Sequence, residues 1–413
     1  MTLKKSFWTL LATLICAQTA SAASYQLNEY SVTGLGRSFA GAGIVGDDYS
    51  AIAFNPAGMT LQKSGMQLGA TLVNLRASAN GTGAWANDST QMNHYVGIPH
   101  GFIQYNPSDK LSLGFGAYVP YGLSTRYKAD SFVSDSAVKS ELQVVDFAPA
   151  IAYKLTDSLS VGASFILRYI YGNMTNTTRY LGGGSSEFEL DGWTVSGSLG
   201  LMYEPIKDTR FGFSWRMKST QQVKGDHRFK GVPVGGGTFN GEYIGRASPN
   251  LPETFTLSAY TKQGKFGLSG TARWTHWSTS FEQFVMTSEN PLVMMTSGGI
   301  AKKSPYNYDN SWTLTAGLDY YHNDNWTFRV GGGWDESPDH NDNTRTWRIP
   351  DNDRIWLSCG FSYIQPKWQI DVGYAHMIGK TSYIDEPNGN GDVDGKLKNL
   401  RSNLLGIQAQ YKF

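Results

Sequence analysis

Apolar and polar residues alternate with a period of two in segment after segment of this 413-residue chain. In the last ten residues, Leu405, Ile407, Ala409, Tyr411 and Phe413 lie on one face, while glycine, glutamine and lysine lie on the other. This alternation is typical of β-strands that have two different environments. We count fourteen such segments, so the sequence predicts an all-β chain with an even number of strands.

The connections between these segments follow a pattern of their own. Short turns such as "NPSD" (106–109) and "HNDN" (322–325) alternate with long polar loops. An even strand count with alternating short and long connections is typical of an outer-membrane β-barrel, and closure leaves no unpaired edge in lipid. The predicted strands begin near residues 65, 97, 110, 141, 158, 187, 209, 252, 265, 310, 325, 353, 367 and 402. The long loops are predicted over 219–250, 280–308, 337–351 and 380–400.

A soluble secreted β-sandwich would also alternate, but its outer face would be polar. Tryptophans near strand ends instead suggest the aromatic girdles of a membrane barrel. The tryptophans that we assign to these girdles are Trp274, Trp277, Trp326, Trp334, Trp356 and Trp368.

The N-terminus predicts export. Residues 1–22 combine a charged start at Lys4 and Lys5, an apolar run and a small-residue cleavage site at 20–22, as secretory signals do. A lipoprotein signal acylated at Cys16 would need a small preceding residue, and Ile15 is large. Removal of the signal lowers the net charge from +1 to about −1, which gives no basic field for nucleic acid.

Beyond the signal, no stretch approaches the roughly 18 apolar residues of a membrane helix. Cys359 is then the only cysteine, so neither an intramolecular disulfide nor a thiolate metal site is expected. We expect a multi-pass barrel in the outer membrane of a Gram-negative bacterium. Lipid and lipopolysaccharide should surround it, and we expect it to be a monomer.

Residues 23–62 lack the alternation. "GAGIVG" (41–46) has the spacing of a dinucleotide-binding loop, but no buried strand precedes it and no acidic residue lies near position 66. The segment is too apolar for disorder and rich in glycine, so we predict that it folds back into the lumen as a plug. The barrel is then predicted over 63–413.

Six motifs are distributed along the mature chain: "ASYQLNEYSVTGLGRSFAG", "DDYSAIAFNPAG", "NLPETFTLSAY", "WTHWS", "YYHNDNWTFRVGGGWDESP" and "IPDNDRIWLSCG". Through these motifs the chain resembles the FadL-type outer-membrane transporters of long-chain fatty acids and other hydrophobic compounds. The resemblance spans the whole mature chain, and fourteen strands is the count that it implies. It also implies an N-terminal hatch in which Asn55, Pro56 and Ala57 form the turn that plugs the lumen.

The third predicted strand, "KLSLGFGAYVPYGLSTRY", contains a proline in its middle. Pro120 cannot donate a ladder hydrogen bond, and Gly122 permits a bend close to it. The resemblance implies that Pro120, Tyr121 and Gly122 form an inward kink that opens a lateral gap toward the membrane. A bulge without functional consequence is the alternative. A sixteen-carbon chain gains on the order of 10 kcal/mol by staying out of water, which favours a sideways exit into lipid.

The alternation directs Arg168, Arg216, Arg273 and Arg329 into the lumen. Each could bind a carboxylate head group, or could pair with an inward acid such as Asp371. The resemblance implies a basic residue near position 309, where this chain has Asp309. Uncharged aromatic or aliphatic hydrocarbons therefore remain an alternative cargo.

Two other functions compete with hydrophobic transport. A general porin would have an open lumen, which the predicted plug argues against. An outer-membrane hydrolase would need a nucleophile and a base close together, and neither His276 nor His322 lies in such a pattern. "NGNGDVDG" (388–395) lacks the final glutamate of a calcium loop. We therefore expect no catalytic residue, metal or cofactor.

Overall fold

A computed structural model describes residues 24–386 and 393–413. The predicted signal at 1–22 and most of the loop 388–395 lie outside these residues. In the described part of the chain, fourteen strands close into one antiparallel β-barrel. The barrel strands are β1 (Gly65–Gly81), β2 (Ser89–Tyr105), β3 (Leu111–Arg126), β4 (Lys139–Lys154), β5 (Leu159–Thr177), β6 (Ser185–Ile206), β7 (Thr209–Arg216), β12 (Glu253–Gln263), β13 (Phe266–His276), β16 (Ser311–Tyr321), β17 (Trp326–Asp335), β18 (Arg354–Ile364), β19 (Trp368–Gly379) and β21 (Val393–Lys412).

Closure joins the first strand to the last. Gly65 lies opposite Lys412 in β21 and opposite Gln104 in β2, so β1 is paired on both sides. The predicted outward face is confirmed, since Leu405, Ile407 and Phe413 are all more than half exposed. Because lipid surrounds such a wall, these side chains meet acyl chains.

Seven further strands lie in the long connections. They are β8 (Ser219–Thr220), β9 (Val223–Val234), β10 (Gly237–Ala247), β11 (Asn250–Leu251), β14 (Gln283–Ser288), β15 (Ile300–Pro305) and β20 (Ser382–Glu386). The prediction of plain loops over 219–250, 280–308 and 380–400 was therefore wrong. These hairpins extend the wall: β9 pairs with the first residues of β6, and β10 pairs with β14.

Two barrel strands begin earlier than predicted. Strand β2 starts at Ser89 rather than 97, and β21 starts at Val393 rather than 402. The added residues are mostly polar or charged on both faces, so they carry no period-two signal, yet their backbones pair with β1.

Two of the six tryptophans do not belong to a girdle. Trp277 is fully buried and packs edge-on against Tyr25, with ring centroids 5.0 Å apart. Trp356 faces inward on β18 and lies 6.0 Å from the ring of Phe39. Trp277 follows the last residue of β13, where the chain turns inward, so strand alternation no longer sets its direction.

Residues 24–62, hereafter the N-terminal segment, contain short helices at Val32–Leu35 and Ala51–Phe54 and a 3-10 helix at Pro56–Leu61. The Ser24 backbone N–H donates to Asp351, which lies in the loop after β17. At the other end, Ser64 accepts a hydrogen bond from the backbone of Phe413. Between these ends the segment bonds to inward-facing wall residues such as Asp319 and Thr271.

The remaining helices are short. They are 3-10 turns at Gly83–Trp85 and Arg179–Leu181 and an α-helix at Pro291–Ser297. Among the residues described, no helix is both long and apolar enough to cross a membrane.

Candidate functional site: an apolar cavity and the path below it

An apolar cavity lies between the barrel wall and the inward-folded loops. About 840 Å³ of space around it is not filled by atoms, a volume that includes its opening to solvent. Strands β4, β5 and β6 contribute to its wall, and loop residues and Tyr25 of the N-terminal segment complete it. The apolar lining includes Leu123, Leu142, Ile170, Met174, Phe188, Leu190, Leu251, Phe281, Phe284, Met286 and Ile349.

Lys302 and Arg348 are the two charged residues in the lining of this cavity. Arg348 is only 4% exposed; it donates to Asn176 at 3.0 Å and to Ser140 at 3.4 Å. Its Nε lies buried without a hydrogen-bond partner among the described residues. No carboxylate of the described chain lies within 4.0 Å of Arg348. This guanidinium can therefore still donate hydrogen bonds to an anion.

Lys302 lies on β15 with its Nζ 3.6 Å from Glu386. Desolvation by the surrounding protein lowers the pKa of Lys302 to about 8; the nearby Arg348 adds to this lowering, and Glu386 opposes it. Near neutral pH the cavity thus offers two cations in apolar surroundings, where a charge-assisted hydrogen bond to a carboxylate is strong.

Alternation could not find these two residues, because both lie in connections predicted as solvated loops. The only sequence signal was the presence of basic residues in "GIAKKSP" and "TRTWRIP". Their role depends on loops that fold inward, which a strand pattern does not report.

A wider outer cavity adjoins the apolar cavity. It is lined by residues of β9, β10, β15 and the helix Pro291–Ser297, with aromatic rings at Phe229, Phe239 and Tyr243. Phe188, Met286, Lys302 and Ser304 line both cavities. The two spaces are therefore neighbours on one path from the long loops inward.

The four predicted arginines all face inward, but none of them lines the apolar cavity described above. Arg168 contacts Asp146 at 2.6 Å, and Arg216 contacts the same carboxylate at 2.9 Å. Arg329 pairs with Asp47 of the N-terminal segment at 3.0 Å. These three arginines are thus balanced by acids.

Arg273 differs from the other three. Its Nη1 donates to the neutral Asn28 Oδ1 at 2.6 Å. Together with Arg216 it lines a small polar pocket between the N-terminal segment and strands β6, β7, β12 and β13. Asp371, the acid that we considered as an arginine partner, instead accepts hydrogen bonds from Gln408 and Gln410.

Strand β3 stops pairing with β2 halfway along its length. Pairing between β2 and β3 runs only from Tyr105↔Leu113 to Gly101↔Ala117. The register with β4 shifts between Tyr118 and Tyr121, the two residues that flank Val119 and Pro120. From Tyr118 to Thr125 every residue is buried, whereas exposed residues occur earlier in the strand. We call the unpaired region between 89–100 of β2 and 118–126 of β3 the lateral gap.

The N-terminal segment lies along the free edge of β3. Leu27 donates its backbone N–H to Pro120 at 2.8 Å, and Gly122 donates to Tyr25 at 2.8 Å. Gln26 and Tyr121 form an antiparallel bridge between these bonds. The Leu27 side chain belongs to the same buried apolar cluster as Val96, Ile98 and Val119.

The turn at Asn55, Pro56 and Ala57 is held by the wall. The Asn55 side chain accepts from the Ala57 N–H at 3.1 Å and donates to the Leu201 and Phe213 carbonyls at 3.0 and 3.3 Å. Gly162 and Gly200 of the wall make room, because a Cβ at either position would overlap atoms of the turn. Within "GAGIVG", Gly43 has φ +76° and packs against Asn55, which leaves no space for a side chain.

Comparison with known proteins agrees with this architecture. The family model "Outer membrane protein transport protein (OMPP1/FadL/TodX)" matches residues 13–413. The chain is 27% identical over 456 residues to the "Long-chain fatty acid transport protein" of Escherichia coli (strain K12), covering 99% of this chain and 98% of that protein. It is 26% identical to "Outer membrane protein P1" of Haemophilus influenzae (strain ATCC 51907 / DSM 11121 / KW20 / Rd), with full coverage of both.

Solved structures share the fold. A Pseudomonas aeruginosa FadL homologue superposes with a TM-score of 0.84 at 22% identity, covering 95% of this chain and 100% of that one. The Pseudomonas putida toluene transporter TodX gives 0.70 at 16% identity, with 95% and 100% coverage. The protein lies in the outer membrane of a Gram-negative bacterium. The chain belongs to the OMPP1/FadL/TodX family of outer-membrane transport proteins.

Proposed function

We propose that this transporter takes up long-chain fatty acids, with the acyl chain in the apolar cavity and the carboxylate at Arg348 and Lys302. The observation that carries the proposal is the buried Arg348 guanidinium, which lines a largely apolar cavity beside Lys302 and has no carboxylate within 4.0 Å among the described residues. The charge of Glu386 offsets the cost of burying this cation only in part, so an anionic ligand stabilises it further. A cavity that binds only uncharged hydrocarbons would gain nothing from a buried guanidinium.

The outer cavity is the proposed entrance. Its aromatic rings and the exposed Met294 and Met295 of the neighbouring helix offer apolar surface to an acyl chain that arrives from outside. Because the two cavities share lining residues, the acyl chain has only a short distance to move from the outer cavity into the apolar cavity. Each methylene that leaves water contributes about 0.8 kcal/mol, so binding energy increases with chain length.

We further propose that the N-terminal segment is the plug and that cargo leaves sideways through the lateral gap. The backbone pairing of Tyr25 and Leu27 with β3 supports this proposal, because the same contacts that cover the free edge can be released. Cargo would shift the segment by binding the released state more tightly. Sideways exit keeps the acyl chain in apolar surroundings throughout.

Exposed apolar side chains occur on strands all around the barrel, from Leu68 on β1 to Ile407 on β21. This distribution supports a monomer that is surrounded by lipid and lipopolysaccharide.

Purified protein in liposomes tests the proposed cargo. Uptake of labelled oleate should exceed that of an alcohol or alkane of equal length, and the joint change Lys302→Met with Arg348→Met should remove the preference for the acid. Equal transport of toluene, alkane and oleate by the unchanged protein would favour a hydrocarbon channel. Free ion conductance without oleate preference would favour a general porin. Mass spectrometry of co-purified lipids supplies an independent identification.

A further inference from the structure

We infer that Arg273 is a second carboxylate site, below the apolar cavity, where the head group of the cargo displaces Asn28 and so releases the N-terminal segment from β3. This inference rests on the proposed function. It adds a specific contact by which an acid, and not an uncharged hydrocarbon, opens the path.

The first observation is the charge balance in the lumen. Arg273 is only 6% exposed, and the hydrogen bond that it makes among the described residues goes to the uncharged amide oxygen of Asn28. Arg168, Arg216 and Arg329 all contact aspartates. Among the described residues, no carboxylate lies within 4.0 Å of Arg273. A carboxylate brings a full negative charge and can bind a guanidinium through two parallel hydrogen bonds, which a single amide oxygen cannot do, so a fatty-acid carboxylate competes well against Asn28.

The second observation is the position of this site on the path. Tyr25 lines the apolar cavity, and the next residue, Gln26, lines the polar pocket that contains Arg273. The two spaces are thus neighbours along the N-terminal segment, and movement of the Tyr25 ring would give a head group access to the pocket of Arg273. The pocket also contains Thr254 and Ser214, whose hydroxyls can donate to a carboxylate.

The third observation is what Asn28 holds in place. It follows directly after Leu27, whose backbone N–H donates to Pro120 of β3. Gln26 is tied to β13, the strand of Arg273, since its side chain accepts a hydrogen bond from Thr275 at 3.1 Å. The contact between Arg273 and Asn28 is thus one of the few side-chain anchors of the stretch that covers the lateral gap. Its loss lowers the cost of releasing that stretch.

The test replaces the side-chain amide of Asn28 by a carboxylate. Asn28→Asp places a carboxylate at Arg273 that cargo cannot displace, so the segment stays on β3. We expect oleate uptake into liposomes to fall at least tenfold while the affinity of the apolar cavity for oleate changes less than threefold. Asn176→Asp is the matched control, because it gives Arg348 an acid in the same way and should weaken binding itself.

A second measurement follows the segment directly. Leu27→Cys, made in a Cys359→Ser background, reports release through its rate of labelling by a membrane-permeant maleimide. Oleate should accelerate labelling at least fivefold, and oleyl alcohol should not. Adding Asn28→Asp should abolish the acceleration, and adding Asn28→Ala should raise the rate without any ligand.

The outcomes separate the two proposals. If the unchanged protein neither binds nor transports oleate, the proposed function fails. If it does both, and Asn28→Asp transports normally or the alcohol accelerates labelling as well as the acid, the inference about Arg273 is wrong. A heat-modifiable band in gel electrophoresis verifies that each variant barrel is folded.

Discussion

A disulfide between positions 26 and 121 should hold the N-terminal segment on β3 and stop transport. Gln26 and Tyr121 form an antiparallel bridge flanked by the bonds from Leu27 to Pro120 and from Gly122 to Tyr25. They are therefore a non-hydrogen-bonded pair, whose Cα atoms are typically about 4.5 Å apart, within the range that a disulfide spans. Gln26→Cys with Tyr121→Cys, in a Cys359→Ser background, should cross-link in the oxidising periplasm.

The contacts set the size of the effect. Two backbone hydrogen bonds contribute about 1 kcal/mol each, and burial of the Leu27 side chain contributes about 2 kcal/mol. Burial of the Tyr25 ring and the side-chain bonds of Gln26 add to this sum, so release of the stretch costs at least about 4 kcal/mol and at most roughly one molecule in a thousand is open without cargo. A disulfide removes this open population. Leu27→Ala recovers about 2 kcal/mol and should raise the open population roughly 30-fold.

Oleate uptake into liposomes measures both changes. The oxidised double variant should transport less than a tenth as much as the same protein after reduction, and each single-cysteine variant should be insensitive to reductant. Leu27→Ala should transport faster and label faster at neighbouring sites. Full transport by the oxidised, fully cross-linked protein would show that the stretch at 25–27 does not need to leave β3, and the plug proposal would have to be abandoned for this part of the chain.

Three further results are expected. Since the pKa of Lys302 is lowered to about 8, its ammonium is present below that pH and is lost above it. Oleate affinity should therefore fall as pH rises through 8, while oleyl alcohol affinity should stay constant. Lys302→Met should remove the pH dependence of oleate binding, and a pH dependence that persists in this variant would exclude Lys302. Gly200→Val should push Asn55 and its turn off the wall and raise ion conductance in planar bilayers, with Gly270→Val on β13, where a Cβ meets only ordinary contact, as the control; unchanged conductance would argue against a sealing role. Pro120→Val restores a backbone donor in β3 and should reduce uptake while leaving binding to the outer cavity intact; unchanged uptake would refute the lateral route.

Strand alternation predicted the wall well, because lipid on one side and the lumen on the other impose a different chemistry on every second residue. Leu405 and Ile407 face outward, and Arg168 and Arg329 face inward, as the pattern required. Alternation failed to mark the first residues of two strands, because their side chains do not alternate between apolar and polar. The first residues of β2 and β21 are mostly polar on both faces, yet their backbones pair with β1.

The binding residues could not be predicted in this way. Lys302 and Arg348 are far apart in the chain, and each lies in a connection without periodicity, yet the inward-folded loops bring both to one apolar cavity. Trp277, which we assigned to the membrane interface, is instead buried against Tyr25, because the chain folds inward after β13.

The sequence by itself determined the barrel, its fourteen strands and the direction of most wall side chains, with Trp356 as an exception, because these follow from a repeat that each strand obeys independently. Tertiary structure alone decided which charges are balanced. Arg168, Arg216 and Arg329 carry acids that reach them from other strands or from the N-terminal segment, and Arg273 and Arg348 carry none among the described residues. Charge pairing depends on contacts between distant parts of the chain, so it appears only after the segments and loops have packed inside the barrel.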